Sequence, residues 1–164
     1  MPRHPIAIAL TVLAAACTPS IPVLEKDVEA ARMQSEALAM RQATEKAQAT
    51  LGDFLVKAKE LPAGTKDYAV KVGVREGRAT EYFWVNEFSW SDGEFTGRIN
   101  DEPRLVKNVK PGQMHRFSRS DVVDWTYVDE RGRTVGNFTA CALSSKGPPA
   151  EAGEFNRRKD TGCS

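Results

Sequence analysis

The hydrophobic period of this chain changes once, near Gly64, and that change limits the folds open to it. From Glu25 to Glu60 the residues are mostly Ala, Glu, Lys, Arg, Gln, Met and Leu, with no proline and a single glycine, Gly52. Such a composition favours helix. Within it Ala47, Leu51, Phe54, Leu55, Ala58 and Leu61 recur at helical spacing, a stripe able to pack on a sheet. The first half, with Val28, Met33, Ala37 and Met40, is thinner in apolar residues and reads as a partly exposed spacer, with Gly52 the weak point between the halves. Pro62 and Gly64 stop the helix.

Beyond Gly64 the period is two. Tyr68, Val70, Val72 and Val74 alternate with Lys71, Gly73 and Arg75, a strand with one wet face. The run ATEYFWVNEF is apolar on both sides and reads as a more central strand. EFTGRIN, QMHRFS, VVDWTYVD and TVGNFTACALS supply four more, separated by turn-forming segments. A helix first and strands afterwards, without alternation, predicts an α+β fold: a long N-terminal helix packed on an antiparallel sheet of about five or six short strands. The expected division is 1–16 a signal, 17–24 a tether, 25–61 the helix, 62–145 the antiparallel β domain and 146–164 a tail without periodicity.

The start of the chain addresses location. After MPRHP, the eleven residues Ile6 to Ala16 are apolar or small, and Cys17 follows at once. A run of this length is short of the roughly 20 residues a membrane-spanning helix needs. The ending Ala14-Ala15-Ala16-Cys17 resembles a bacterial lipoprotein signal, in which Cys17 is freed and acylated; Leu13 stands four residues before the cysteine, where three is the commoner spacing. An ordinary secretory signal cut near Ala16 is the alternative. Thr18 after the cysteine resembles the pattern sorted to the outer membrane. The expectation is a lipid on Cys17, with palmitate among its acyl chains, holding the domain on the inner leaflet of the outer membrane, facing the periplasm. Cys141 and Cys163 would then remain to pair in an oxidising compartment. Closing that loop contributes on the order of 3 kcal/mol in the chain-entropy model.

Charge and motif counts remove several functions. The chain holds 23 Lys and Arg against 22 Asp and Glu, and loss of residues 1–16 removes only Arg3, so the mature domain is neutral. It has no basic excess for nucleic acid. His115 is the only histidine beyond the signal and no Cys-x-x-Cys occurs, so neither a metal nor a cofactor is expected. Neither GxxxxGK[ST] nor GxGxxG is present. Cys141 with His115 and Asp121 or Asp124, or Ser118 or Ser120 with the same histidine, contains the residue types for nucleophilic catalysis. Against this, His115 sits in an alternating run and reads as a solvent-facing strand residue. The acids Asp92, Glu94, Asp101, Glu102, Asp121 and Asp124 are numerous enough for an acid pair, yet most occupy turn positions. Ser118 and Asp121 also have the spacing of a helix cap. Asn137-Phe138-Thr139 matches a glycosylation acceptor, an accidental match in a chain of this kind.

The stretch DWTYVDERGRTVGNFT concentrates the remaining interest. Asp124 is the odd member, because an acid flanked by Val123 and Trp125 must find a hydrogen bond, a cation or water. Trp125 and Tyr127 read as core or cross-strand partners of Phe138. The motifs FWV at 83–85, G-x-I-N-x-x-P at 97–103, D-W-x-Y at 124–127 and G-N-F-T at 136–139, with L-x-x-F-L at 51–55 and Val-Lys-Val at 70–72, together resemble the YegJ-like family of uncharacterised bacterial proteins. The resemblance covers roughly 100 residues. It implies no reaction and no cofactor, and it implies a protein-binding role of the kind seen with toxin and immunity systems. The polar motif residues Asn100, Glu102, Asp124, Asn137 and Thr139 could form a rim over a floor of Trp84 and Trp125; the alternative is that they cap the sheet and its turns. The reading is therefore a non-catalytic binding module with an envelope protein as partner. An immunity-like toxin binder and an envelope hydrolase using an acidic residue are its alternatives.

Overall fold

The computed structural model describes residues 22–144, with side chains from Glu25 onward. Helix α1 (Pro22–Glu60) is followed by strands β1 (Lys66–Glu76), β2 (Ala79–Ser91), β3 (Glu94–Ile99) and β4 (Met114–Ser118). A 3-10 turn (Arg119–Asp121), β5 (Val122–Val128), β6 (Thr134–Gly136) and a short helix α2 (Phe138–Ser144) complete it. One antiparallel sheet runs in the order β4-β3-β2-β1-β5-β6. The α+β architecture expected from the sequence is the one observed. The stretches expected to be a signal (1–16) and a tail (146–164), and Cys17, lie outside the described residues.

Three local departures have physical causes. Helix α1 begins at Pro22, inside the stretch assigned to a tether, because proline suits the first turn, where its missing N–H costs nothing. The helix also runs through Gly52 without a break. A helical glycine costs about 1 kcal/mol against alanine, whereas its neighbours Leu51, Phe54 and Leu55 are buried, each worth roughly 1.5–3 kcal/mol. The third departure is the sixth expected strand, which ends at Gly136. Asn137 takes a left-handed φ of 58° and the chain then turns helical. Gly136, at φ 85°, is required by that turn, since a Cβ there would collide with the Trp125 carbonyl.

The core lies between the C-terminal half of α1 and one face of the sheet. Val70 stands opposite Val85 and Trp125, and Val72 opposite Phe83 and Val122. Phe54 enters this surface from α1, stacking on Trp125 with ring centroids 4.9 Å apart and lying 5.9 Å from Tyr68 and 6.0 Å from Phe88. Two polar links fix the helix on the sheet: Trp125 Nε1–H donates to the Ala47 carbonyl at 3.0 Å and Gln48 Nε2 donates to the Val122 carbonyl at 3.2 Å. The first turns of α1, Glu25 to Gln34, are exposed. At about 1.5 Å per residue the helix is roughly 58 Å long, much longer than its packed half.

The connection between β3 and β4 closes the core from one end through Val106 and Val109. Its backbone is held by acids of the sheet. Glu81 accepts the N–H groups of Arg104, Leu105 and Val106 at 2.7 to 3.1 Å, and Glu76 accepts that of Lys107 at 2.7 Å. Desolvation pushes the Glu81 carboxyl up, but the N–H groups of Leu105, Val106 and Arg104 and the Arg104 guanidinium outweigh it and hold the group below the usual glutamate range.

Phe54→Ala should lower the unfolding free energy by about 3–5 kcal/mol, because Phe54 is 1% exposed and its site is hemmed in by rings that cannot collapse onto it. Met33→Ala, at a position 62% exposed, should stay within about 0.5 kcal/mol, and urea unfolding of the two variants checks the contrast. The Glu81 clamp has a defined pH sense. A depressed folded pKa contributes stability that is complete above the unfolded value of about 4.3 and is lost as pH falls through the lower folded value. Amide exchange at Arg104, Leu105 and Val106 should therefore accelerate, relative to the β1 and β2 amides, on acidification through that window, and Glu81→Gln should remove this pH dependence.

Candidate functional site

On the sheet face turned away from α1, the register aligns four residues across neighbouring strands. Lys71 on β1 is paired with Trp84 on β2 and with Asp124 on β5. Asn100, just beyond β3, extends the row by donating its N–H to the Trp84 carbonyl at 3.2 Å. With strands about 4.8 Å apart the row spans roughly 15 Å. A bulge places it: β5 carries one extra residue, Val123, between the pairs Val72–Val122 and Lys71–Asp124. Val122 and Asp124 therefore leave the strand on opposite faces, Val122 toward the core and Asp124 toward Lys71.

Asp124 is fully buried, and its oxygens accept four hydrogen bonds. Oδ1 takes the N–H of Trp125 at 2.8 Å and of Phe138 at 3.1 Å; Oδ2 takes the N–H of Thr139 at 2.8 Å and the Thr139 hydroxyl at 2.7 Å. Phe138 and Thr139 open α2, so this carboxylate supplies the cap that the start of that helix requires, from a strand fourteen and fifteen residues earlier. Asn137 holds the junction. Its N–H donates to the Trp125 carbonyl at 2.9 Å and its carbonyl accepts the Cys141 N–H at 3.2 Å. Phe138 meets Trp125 edge to face at 5.3 Å and lies 4.8 Å from Lys46 Nζ, which ties α2 to α1.

Lys71 is half-buried, and its Nζ donates to Thr139 Oγ1 at 3.3 Å and lies 5.6 Å from the centre of the Trp84 ring. Because the Thr139 hydroxyl hydrogen is committed to Asp124, its oxygen is oriented to accept from Lys71. Burial pulls the ammonium below the usual lysine range, against the opposing attraction of Asp124 and then of Asp101. Asp101 belongs to the same neighbourhood, its Oδ2 accepting the Trp84 N–H at 3.3 Å.

The sequence candidates therefore divide. Trp84, Asp124 and Thr139 gather round Lys71, Asn100 lies beyond Trp84 at the end of the row, and Asn137 shapes the turn behind them. Glu102 is exposed on the following loop, and the acid beside Trp84 is Asp101. Trp125 is not a floor partner of Trp84: it points into the core, 6% exposed, stacked on Phe54. Cys141 lies half-buried on α2, while Cys17 and Cys163 fall outside the described residues.

The nucleophilic constellations do not assemble. His115 on β4 sits at the opposite end of the strand order from α2 and β5, and Ser118 Oγ donates to Asp121 at 2.7 Å. His115 is also not a solvent-facing residue; it is half-buried on the side of the strand that carries Phe117, 6.2 Å from that ring. Burial pulls its pKa down, against the attraction of Asp121. Among the described residues no group of three His, Cys, Asp or Glu is placed to hold a metal ion. A shallow groove of about 530 Å³ between α1 and the 3-10 turn is lined by Gln48, Leu51, Gly93, Ser118, Arg119 and Ser120, and none of the row residues reaches it.

Fold and row together define a small α+β domain with one sheet face buried under a helix and the other presenting aromatic and polar side chains. The chain belongs to the bacterial family described as "Uncharacterized protein conserved in bacteria (DUF2314)", whose model matches residues 37–161. It is 34% identical over 92 residues to the uncharacterised protein YegJ of Escherichia coli (strain K12), a match covering 56% of this chain and 59% of that protein. The chain thus spans about three fifths of the length of that curated relative. No solved structure matches.

Sequence reasoning named Lys71 only as a wet-face residue and Asp101 only as one acid of a possible pair, and placed neither in the row. Their signals were present: a lysine alone between two core valines, and an acid two residues beyond the strand that flanks Trp84. Asp124→Asn should cost about 3 kcal/mol, since an amide cannot accept on both sides and leaves α2 donors buried without partners. Urea unfolding measures the loss, and amide exchange at Phe138 and Thr139 should accelerate more than in the β1–β2 ladder. The same substitution removes the main charge holding the Lys71 ammonium, so the lysine should titrate lower still in the folded variant.

Proposed function

We propose that the mature chain is a non-catalytic binding module of the bacterial envelope, tethered by lipid on Cys17 to the inner leaflet of the outer membrane and facing the periplasm. Its ligand surface is the outer sheet face around Lys71 and Trp84. The observation that carries this reading is the state of Lys71: its ammonium is fixed by one hydrogen bond to Thr139 beside an aromatic ring, which leaves donors directed at whatever meets that face. The exposed first turns of α1 support the tether, because they hold the packed domain away from a membrane five residues upstream of Pro22. Cys141 and Cys163 form a disulfide in this reading, as an oxidising compartment favours.

Catalysis by Asp124 is disfavoured by its geometry. An enclosed carboxylate with four donors already on its oxygens has no approach to a substrate and no lone pair aimed at one. An envelope protein and a non-protein envelope component both remain partners for the outer face.

The test is retention of envelope material by tagged, lipidated protein after cross-linking, assayed for protein and for saccharide, with Lys71→Met and Trp84→Ala beside the wild type. Material retained at fixed ratio and lost in both variants is the expected result, and palmitate incorporation should vanish in Cys17→Ser. Retention no greater than that of a control lipoprotein would overturn the binding reading. Retention indifferent to both substitutions would move the surface elsewhere.

A further inference from the structure

We infer that the occupant of the outer face is a neutral glycan chain, an inference that rests on the binding reading above. Charge is the first restriction on what can bind there. Lys71 is the one cation in the row, and two carboxylates, Asp124 and Asp101, already attract it. The local sum of formal charges is negative, so an anionic ligand gains no net attraction there. A cationic ligand fares no better, because Asp124 is enclosed and both acids already act on the Lys71 ammonium. Stacked nucleobases would need the aromatic face but also a basic track for their phosphates, and the mature domain is neutral.

What the face offers is two aromatic side chains flanked by hydrogen-bonding groups of both kinds. Tyr82 and Trp84 stand two residues apart on β2 and share one side of it, about 7 Å from each other along the strand. Tyr82 is 53% exposed and its ring packs over Gly73, where an added Cβ would come within 3.1 Å of Cε1. The absence of a side chain at Gly73 keeps the surface between Tyr82 and Lys71 low. Trp84 Nε1–H and the remaining ammonium hydrogens of Lys71 make no hydrogen bond within the described protein, whereas Asp101 and the Asn100 amide supply acceptors beside them. A sugar ring matches this set. One of its faces is made of C–H groups that pack on an aromatic ring, and its rim carries hydroxyls that donate to a carboxylate and accept from an ammonium or an indole N–H. Two rings spaced along a strand would take successive sugars of one chain.

The experiment uses the mature full chain with its three tryptophan indoles labelled with nitrogen-15, titrated with chitohexaose and with cellohexaose to millimolar concentration. The Trp84 indole signal should shift saturably with at least one of the two, while that of Trp125, sealed in the core, stays in place. Tyr82→Ala and Lys71→Met should each weaken binding about tenfold, with the Trp125 signal reporting that both variants remain folded. An unmoved Trp84 signal with both sugars overturns the glycan assignment, as does a shift that neither substitution weakens. If envelope material is still lost on Lys71→Met when neither hexaose binds, the binding reading survives and the glycan assignment falls. If both experiments fail, both readings fall together.

Discussion

Four hydrogen bonds to one buried carboxylate hold this structure in the form described. An ionised Asp124 removed from water without partners would cost more than a domain of this size can offset, so its burial is tenable only where donors converge on both oxygens. They come from three places: its own strand through Trp125, the start of α2 through Phe138 and Thr139, and the hydroxyl that passes the interaction on to Lys71. The carboxylate therefore fixes where α2 begins and, through Thr139, holds the lysine of the outer face. Core and surface are joined at this residue, since its neighbour Trp125 on the other face carries the stack with Phe54 and the link to the Ala47 carbonyl.

The bulge at Val123 makes that junction possible. A strictly alternating β5 would place Val122 and Asp124 on the same face, and one of them would lie wrongly for either the core or the row. One extra residue resolves the conflict by letting Val122 face Val72 while Asp124 faces Lys71. The same strand then returns to simple alternation, with Trp125 and Tyr127 in the core.

Much of the fold was legible because it rests on local periodicity. The spacing of Ala47, Leu51, Phe54 and Leu55 and the alternation of Val70, Val72 and Val74 report burial directly, and the structure buries all seven. What escaped the sequence was non-local. Helix α2 spans only seven residues, too few for a helical period to outweigh the strand-like look of TVGNFT, and its first N–H groups are capped by a residue on another element. Trp125 cannot be both core and a cleft floor shared with Asp124, because neighbours on a strand face opposite sides, and the structure keeps to that alternation from Asp124 onward. Lys71 was visible as a wet-face residue, but its role depends on which residues stand opposite it on β2 and β5, and register is not written in a single strand.

The division between the two sheet faces bears on why binding is a better reading than reaction. Three heavily engaged acids turn oxygens to the chain's own backbone: Asp124 to α2, Glu81 to the loop after β3, and Asp129 to Arg131 and Arg133 in the turn before β6, where the Arg133 guanidinium also pairs with it. A general acid or base needs the opposite arrangement, a carboxyl partly desolvated yet open toward a substrate atom. Here the carboxylates spend their hydrogen-bonding capacity on holding loops and helix ends, while the groups with capacity to spare, Lys71 and the Trp84 indole, are donors beside an aromatic surface. Rigid acids behind and available donors in front make a surface suited to holding a ligand in place.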